Sequence, residues 1–226
     1  MSLPEIVAID GPAASGKSTI GHLLAERWGY LYFDTGVMYR AVTWFALDQG
    51  VPPEDEERVS TLAEEVKIDV QTPTRDDGRD YDVLVNGRDI TWEIRSPEVD
   101  ASVSVVAAYP GVRRALTQQQ RRIGLRGDVV MVGRDIGTVV LPEADLKIYL
   151  DASVEERARR RFQQRKGRGE DVDFEDIIKV MKMRDRIDSS REVAPLKVAD
   201  DAVVVNSNGL SIAEVVSRIE EIAREV

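Results

Sequence analysis

Eight residues near the amino terminus have the types and spacing that suit phosphate binding. Residues 11–18, GPAASGKS, match the pattern G-x-x-x-x-G-K-[ST] at every specified position. The two glycines permit backbone conformations that other residues avoid, so that successive N–H groups can converge on one anion. Lys17 can bridge the outer phosphates, and Ser18 can ligate Mg²⁺. An apolar segment before this phosphate loop and a helical pattern after it supply the strand and helix that such a loop requires.

The phosphate loop predicts a bound nucleoside triphosphate and leaves the reaction open. A GTPase usually carries a base-reading Asn/Lys-x-x-Asp element, and a motor ATPase usually has an Asp-Glu pair at the end of a strand. Neither is found here. A small kinase instead surrounds two substrates with arginines. The residues expected to contact ATP are Gly11, Pro12, Ala13, Ala14, Ser15, Gly16, Lys17, Ser18 and Thr19.

Several arginines follow predicted strands, where ligands bind in open parallel sheets. Arg40 comes shortly after the second strand, and Arg134 with Asp135 comes directly after an apolar strand at 129–132. Each could bind an acceptor phosphate, or could be an ordinary surface arginine or strand-to-turn junction. Arg184, Asp188 and Arg191 share one helical face and form either a ligand clamp or a surface ion pair.

A run of seven cations without an acid lies between residues 157 and 168. A solvated basic face, a nucleic-acid arm and a lid that closes over phosphates are the three explanations. The run is short and the chain is net acidic, which disfavours nucleic-acid binding. A lid fits, because phosphoryl transfer must exclude water and neutralise developing charge. The members are Arg157, Arg159, Arg160, Arg161, Arg165, Lys166 and Arg168.

These groups need a scaffold, and the apolar pattern predicts an α/β fold. Apolar strands without alternation are separated by helical segments, which indicates a parallel sheet core with helices on both faces. Between about 67 and 94, short alternating segments and the turn signals Asp76-Asp77-Gly78 and Asn86-Gly87 predict a small antiparallel β insert. Strands are expected at 6–9, 31–33, 129–132, 146–150 and 202–205, and helices at 15–28, 36–49, 59–66, 96–107, 112–125, from 153, 174–190 and from 211.

Composition narrows the function further. The chain has 226 residues, 42% of them hydrophobic, which fits one globular domain. Its net charge of −10 argues against bulk binding to nucleic acid or anionic lipid. It has no cysteine, which fits a reducing compartment, and one histidine, His22. We find no membrane-spanning apolar run and no signal pattern at the amino terminus. Arginine outnumbers lysine 24 to 7, either through codon usage or because guanidinium groups bind phosphates.

Taken together, the motifs resemble the bacterial cytidylate kinases, which are nucleoside monophosphate kinases with a phosphate loop. The resemblance runs from about residue 6 to 226 in the expected order. The most diagnostic segment begins GRDIGTVV at Gly133. The matching segments are IDGPAASGKST, FDTGVMYRAV, EIRSPEV, SVVAAYPGVRRAL, VGRDIGTVVLPEADLKIYLDASVEERARRR and RDRIDSSREVAPL.

The resemblance implies roles for residues at matching positions. Ser104, Arg113 and Asp135 would read the cytosine edge, and Arg40, Arg134 and Arg191 would hold the monophosphate. Arg184 and Asp188 would contact the sugar, Arg157 and Arg161 would be lid arginines on the transferring phosphoryl, and Tyr39 would line the pocket. Thr35 stands where some relatives have serine, and both keep a hydroxyl. The implied catalytic set is Lys17, Arg134, Arg157, Arg161 and Arg184.

The implied reaction is the ATP-dependent phosphorylation of CMP and dCMP, with Mg²⁺ bound to ATP and held by Ser18. We expect a cytoplasmic monomer that binds neither nucleic acid nor membrane. The core would comprise about 1–35, 111–155 and 192–226, the monophosphate-binding region about 36–110, and the lid about 156–175. Two rivals remain: a phosphate-loop kinase for another acceptor, and an RNA-associated protein that uses the run of cations.

Overall fold

The computed structural model describes residues 3–167 and 169–225, and within them the chain forms eight strands and eight α-helices. The strands are β1 (Ile6–Asp10), β2 (Leu31–Asp34), β3 (Ile68–Gln71), β4 (Asp82–Val85), β5 (Arg88–Asp89), β6 (Val129–Gly133), β7 (Leu146–Asp151) and β8 (Val203–Asn206). The helices are α1 (Lys17–Trp28), α2 (Gly36–Asp48), α3 (Glu56–Glu65), α4 (Pro97–Val106), α5 (Pro110–Gly124), α6 (Val154–Gly167), α7 (Phe174–Ser190) and α8 (Ile212–Ala223). A 3₁₀ turn, Glu93–Arg95, precedes α4, and a π-helical turn, Ile136–Val140, follows β6.

Five parallel strands form the central sheet, in the order β2-β6-β1-β7-β8. β1 is central, and its last residue, Asp10, pairs in register with Gly133 of β6 and Tyr149 of β7. The strands β1 and β6 are almost entirely buried and apolar, as expected for strands covered on both sides. This order brings the carboxyl ends of β2, β6 and β1 together at one edge of the sheet.

The turn between β1 and α1 depends on two glycines. Gly11 has a φ of +151°, and a Cβ at this position would lie 2.1 Å from the Leu150 carbonyl oxygen. Gly16 has a φ of +102° and is the N-cap of α1. Side chains are strongly disfavoured at both positions. The left-handed Gly16 also explains why the helix begins at Lys17 rather than at Ser15 as predicted.

The antiparallel insert is stabilised by an ion-pair cluster around one buried arginine. Its strands pair in the order β3-β4-β5, with the tight turn at Asn86-Gly87. The Arg79 guanidinium is 1% exposed and donates hydrogen bonds to the carboxylates of Asp77, Asp82 and Asp89. This cluster links the long connection between β3 and β4 to the strands β4 and β5. Burial of the arginine is tolerated because carboxylates pair with its charge.

Helices α6 and α7 pack against each other over a second, smaller apolar cluster. Its buried members are Ala158, Ile177 and Met181, and Ala14 of the phosphate loop packs against them. The loop therefore sits on this helix pair as well as on the sheet. Part of the predicted lid region belongs to this packed unit. Arg168, the last of the run of cations, lies outside the described residues.

The predicted fold class is confirmed, and the boundary shifts are small. The parallel core and the antiparallel insert both form as expected. Helix α3 begins at Glu56, earlier than predicted, because Asp55 caps it, and helix α5 begins at Pro110, which suits the first helical position. Ser211 and Glu214 form a complete capping box at the start of α8. No described helix is long and apolar enough to cross a membrane.

A close contact between α1 and β6 fixes the helix that follows the phosphate loop. A Cβ on Gly21 would lie 2.6 Å from the Cγ1 atom of Val132, which is buried and β-branched. Alanine gains up to about 1 kcal/mol in helix propensity, but overpacking costs about 1–3 kcal/mol. We expect Gly21→Ala to lower the free energy of unfolding in chemical denaturation.

A matched control is Gly167→Ala in α6, where an added Cβ meets nothing within 4 Å. Its stability should stay the same or rise slightly, since the same propensity gain is unopposed. Equal stability of Gly21→Ala and the wild-type chain would contradict the close packing of α1 on β6.

Candidate functional site

The side chains predicted to do chemistry meet where three parallel strands end. Asp34 pairs with Val132, and Asp10 pairs with Gly133, so that residues 10–11, 34–36 and 133–135 adjoin. Asp10 is buried, and its carboxylate accepts hydrogen bonds from the backbone N–H groups of Ile136 and Gly137, both at 2.8 Å. Burial raises the pKa of Asp10 to about 6, although these two donors oppose the rise. Asp10 thereby fixes the turn that carries Arg134 and Asp135.

Lys17 is buried at the start of α1 and is bonded within its own loop. Its ammonium donates to the Pro12 carbonyl oxygen at 2.8 Å and lies 3.5 Å from the Ser15 hydroxyl. Burial lowers the pKa of Lys17 well below its usual value, and the nearby Arg134 adds to the effect. A phosphate bound in the loop would place a negative charge next to this ammonium, whose present hydrogen-bond partners are neutral oxygens.

Two hard oxygen ligands lie beside the phosphate loop. The Ser18 hydroxyl donates to the Asp34 carboxylate at 3.2 Å, and Asp34 also accepts from the backbone N–H of Gly36. Mg²⁺ prefers oxygen ligands and usually keeps waters and substrate phosphates in its shell. One hydroxyl and one carboxylate next to a phosphate site fit that requirement. Sequence reasoning named Ser18 and overlooked Asp34, although an acid at the end of a parallel strand is a usable signal.

A cleft of about 870 Å³ extends from the phosphate loop to α6, α7 and the segment after β8. Arg161 of α6 and Arg184 of α7 line it opposite Lys17 and Ser18. Neither arginine has a carboxylate within 4 Å among the described residues. The cleft is therefore large enough for a nucleotide and presents two unneutralised guanidinium groups to it.

Most other cations of the run are already paired. Arg159 and Arg160 contact Glu156, Arg165 bonds Glu170 at 2.6 Å, and Lys166 lies 3.7 Å from Asp171. The Ser153 hydroxyl accepts from the Glu156 backbone N–H at the start of α6, while the Glu156 carboxylate bonds the first two of these arginines. A surface that bound a polyanion would leave these charges available, so the pairing weakens the nucleic-acid interpretation.

An alternating series of ion pairs crosses the other side of the site. Arg113 lies 3.3 Å from Asp135, and Asp135 lies 3.6 Å from Arg191. Arg191 in turn lies 3.6 Å from Asp188, which bonds Arg134 at 2.8 Å. We call these five residues the acceptor series. The structure thus brings together residues from α5, the β6 turn and α7 that the sequence analysis assigned to one substrate.

Two guanidinium nitrogens of the acceptor series are buried without a hydrogen-bond acceptor. They are Nε of Arg113 and one terminal nitrogen of Arg191. The Arg113 guanidinium lies over the Tyr39 ring, 5.4 Å from its centre, and the Thr35 hydroxyl donates to the Val132 carbonyl oxygen. Burial raises the pKa of the Asp135 carboxyl, and the adjacent arginines oppose that rise. Unpaired buried donors are costly, so this pocket is suited to a ligand rich in acceptors.

The structure does not bring every predicted substrate residue into the acceptor series. Arg40 bonds Asp100 at 2.5 Å and the Ile94 carbonyl oxygen at 3.1 Å, and it lines a second cleft of about 390 Å³ with Arg95 and Asp34. Ser104 lies exposed on α4, and its hydroxyl makes no hydrogen bond among the described residues.

Two arginines of α6 donate hydrogen bonds to backbone carbonyl oxygens of the phosphate loop. Arg157 donates to the Ala13 carbonyl oxygen at 3.1 Å, and Arg160 donates to the Ser15 carbonyl oxygen at 3.1 Å. Arg160 also bonds the hydroxyl and carbonyl oxygen of Ser207. Arg157 is buried and does not line the large cleft. The lid role implied for Arg157 is therefore not reflected in its contacts. No pattern in the sequence indicates that Arg160 bonds the phosphate loop.

Known proteins resemble this chain over almost its whole length. Residues 7–225 match the family model described as Cytidylate kinase. The cytidylate kinase of Chloroflexus aggregans is 53% identical over 219 residues, which cover 97% of this chain and 94% of that protein. The cytidylate kinase of Roseiflexus castenholzii is 52% identical over 220 residues, covering 97% and 93%. An uncharacterised protein from Eubacterium ventriosum has a TM-score of 0.52 at 10% identity, with 98% of this chain and 99% of that chain covered, which supports the fold alone.

These matches confirm the resemblance stated from the motifs. The range matched by the family model, residues 7–225, includes the phosphate loop, the insert and the acceptor series of this chain. The chain belongs to the cytidylate kinase family.

Proposed function

We propose that this chain transfers the γ-phosphoryl group of ATP to CMP or dCMP. The observation that carries the proposal is the position of the acceptor series beside the phosphate loop, with two buried guanidinium nitrogens that lack acceptors. A nucleoside monophosphate supplies acceptors for these donors. Its cytosine ring also offers an amine to Asp135. The cytidylate kinase relatives, each about half identical to this chain, support the same acceptor.

The acceptor base would be read by Arg113 and Asp135, with Ser104 as a third contact. A cytosine edge has an exocyclic amine, which can donate to the Asp135 carboxylate, and two ring acceptors, which can receive from Arg113. The stacking of Arg113 on Tyr39 restricts the guanidinium orientation. Uracil offers a carbonyl in place of the amine and would face a carboxylate, which disfavours it.

The monophosphate and sugar would be bound by residues at the other end of the acceptor series. Arg134 and Arg191 are suited to the phosphate, because a planar fork matches its oxygens, and Asp188 can accept from a ribose hydroxyl. Arg40 would add a phosphate contact after leaving Asp100, and Thr35 would line the pocket.

Catalysis would consist of positioning and electrostatic stabilisation. The acceptor phosphate is already anionic near neutral pH, so no general base is required, and His22 needs no role. Lys17, Arg134, Arg161 and Arg184 surround the space between the two nucleotides and can stabilise the charge that develops on the transferred group. The lid residues would exclude water from this space.

Ser18 and Asp34 fit a magnesium ion bound together with ATP. They would hold it directly or through water at the 3.2 Å pair described above. When bound, the ion would supply positive charge that neutralises the phosphates of ATP. We further propose that the chain acts in the cytoplasm, which its lack of cysteine suits, and that it acts as a monomer.

An acceptor panel tests the proposed function. We expect CMP and dCMP to be phosphorylated by ATP with much higher kcat/KM than UMP or AMP, because only a cytosine edge satisfies both Arg113 and Asp135. Coupled assays of ADP formation would give the values for all four acceptors. Preference for AMP would favour another phosphate-loop kinase. Tight RNA binding at physiological salt, without turnover of CMP, would favour the RNA-associated alternative.

The phosphate loop gives a second prediction. Lys17→Ala should reduce kcat by about 10²-fold or more, as expected for removal of a transition-state charge contact. The thermal midpoint should remain close to that of the wild-type chain, since the buried ammonium has only loop contacts to lose. Lys182→Ala, on an exposed position of α7, is the control. Near-normal turnover of Lys17→Ala would refute the phosphate-loop assignment.

Asp135 gives a third prediction. Asp135→Asn should raise KM for CMP by about 10- to 100-fold, the value of a hydrogen bond to a charged group, while KM for ATP changes little. Asp200→Asn, which alters an exposed carboxylate outside both clefts, serves as the control. Equal effects on the two substrates would mean that Asp135 supports the fold rather than the base.

A further inference from the structure

The hydrogen bonds of Arg157 link the two substrate sides of the site. Its side chain is 3% exposed, and each of its three nitrogens donates at least one hydrogen bond. Nε donates to the Ala152 carbonyl oxygen at 3.0 Å, and one terminal nitrogen donates to the Ala13 carbonyl oxygen at 3.1 Å. The two terminal nitrogens also form a paired contact with the Asp185 carboxylate, at 3.0 and 2.6 Å. Arg157 would have to break these bonds to reach a transferring phosphoryl group.

The contact at Ala13 acts on the geometry of the phosphate loop. The N–H and carbonyl groups of a peptide point in opposite directions, so carbonyls on the outside of the loop accompany N–H groups aimed at the phosphate. Arg157 holds the carbonyl of the peptide that joins Ala13 to Ala14. Ala14 has a φ of +59°, which is unfavourable for a residue with a side chain. The surroundings must therefore maintain this conformation, and Arg157 is one of the groups that do so.

The contact at Asp185 connects the same arginine to the acceptor side. Asp185 follows Arg184 and precedes Asp188 by one helical turn of α7. Asp188 belongs to the acceptor series and bonds Arg134. A movement of α7 that follows acceptor binding would therefore move the carboxylate that orients the Arg157 guanidinium. The shared apolar cluster under Ala14, with Ala158 of α6 and Met181 of α7, provides a second connection along the same route.

We propose that Arg157 and Asp185 form a positioning pair that couples the phosphate loop to the acceptor side of the site. In this role Arg157 does not contact the phosphoryl group, and Asp185 does not contact either nucleotide. Asp185 orients Arg157, and Arg157 orients the loop peptide that binds ATP. The inference rests on the proposed function for the identity of the two nucleotides.

The pair makes a prediction that a direct phosphoryl contact does not make. Asp185→Asn should weaken binding of a non-hydrolysable ATP analogue about fivefold to tenfold, within the usual range of coupling between sites, although Asp185 touches no atom of the loop. Arg157→Gln should weaken CMP binding to a similar degree. The double variant should bind each nucleotide no more weakly than the worse single variant, because both changes break one link.

Calorimetric titration with the analogue and with CMP, each alone and in the presence of magnesium, measures these affinities without turnover. Arg159→Gln is the matched control on α6, since Arg159 is exposed and its one ion pair among the described residues is with Glu156. Thermal melting verifies that each variant is folded. Asp185 is partly exposed and its amide is isosteric, so Asp185→Asn decides the matter even if Arg157→Gln fails to fold.

Analogue binding by Asp185→Asn within about twofold of the wild-type value would overturn the proposal. Losses that multiply in the double variant would also overturn it, since independent contacts behave in that way. Failure of the wild-type chain to bind the analogue or CMP would be a different result, because it would count against the proposed function itself.

Discussion

Burial of positive charge before any phosphate arrives is the constraint on which this site depends. A cation removed from water is costly unless it is paired or hydrogen-bonded. Lys17 is satisfied by its own loop, and Arg157 by two carbonyls and a carboxylate. The acceptor series meets the same need by alternating arginine with aspartate. At Lys17 and in the acceptor series, a substrate phosphate would take the place of the cation's present partner, whereas Arg157 keeps its partners and supports the loop.

This constraint explains how a chain of net charge −10 can bind small polyanions. Acidic residues neutralise arginines one by one along α6 and around Arg79 in the insert. Unpaired guanidinium groups remain at Arg161 and Arg184, both facing the large cleft. The positive potential is therefore local, and a short triphosphate can experience it where a long nucleic acid would meet the acidic remainder of the surface.

The fold and much of the site could be predicted because their signals are local in the sequence. The phosphate loop has a fixed spacing, and apolar runs such as Val129–Gly133 identify parallel strands whose ends must meet. The insert was readable from Asn86-Gly87 and its flanking alternation. What could not be predicted depends on partners distant along the chain. Arg157 is 28 positions from Asp185, and no pattern within α6 distinguishes it from Arg161, whose side chain lines the cleft instead. The same holds for Arg160, which meets Ser207 only after β8 is placed beside β7.

The acceptor series has one further consequence, which follows from its odd number of charged residues. It contains three arginines and two aspartates, and it begins and ends with an arginine. An odd series of this kind cannot neutralise itself, whichever neighbours pair, and one positive charge is always left over. A nucleoside has no charge to place against this excess, whereas the phosphate of a nucleoside monophosphate is anionic near neutral pH. The excess positive charge of the series thus favours a phosphorylated acceptor over its dephosphorylated form, independently of which base the pocket reads.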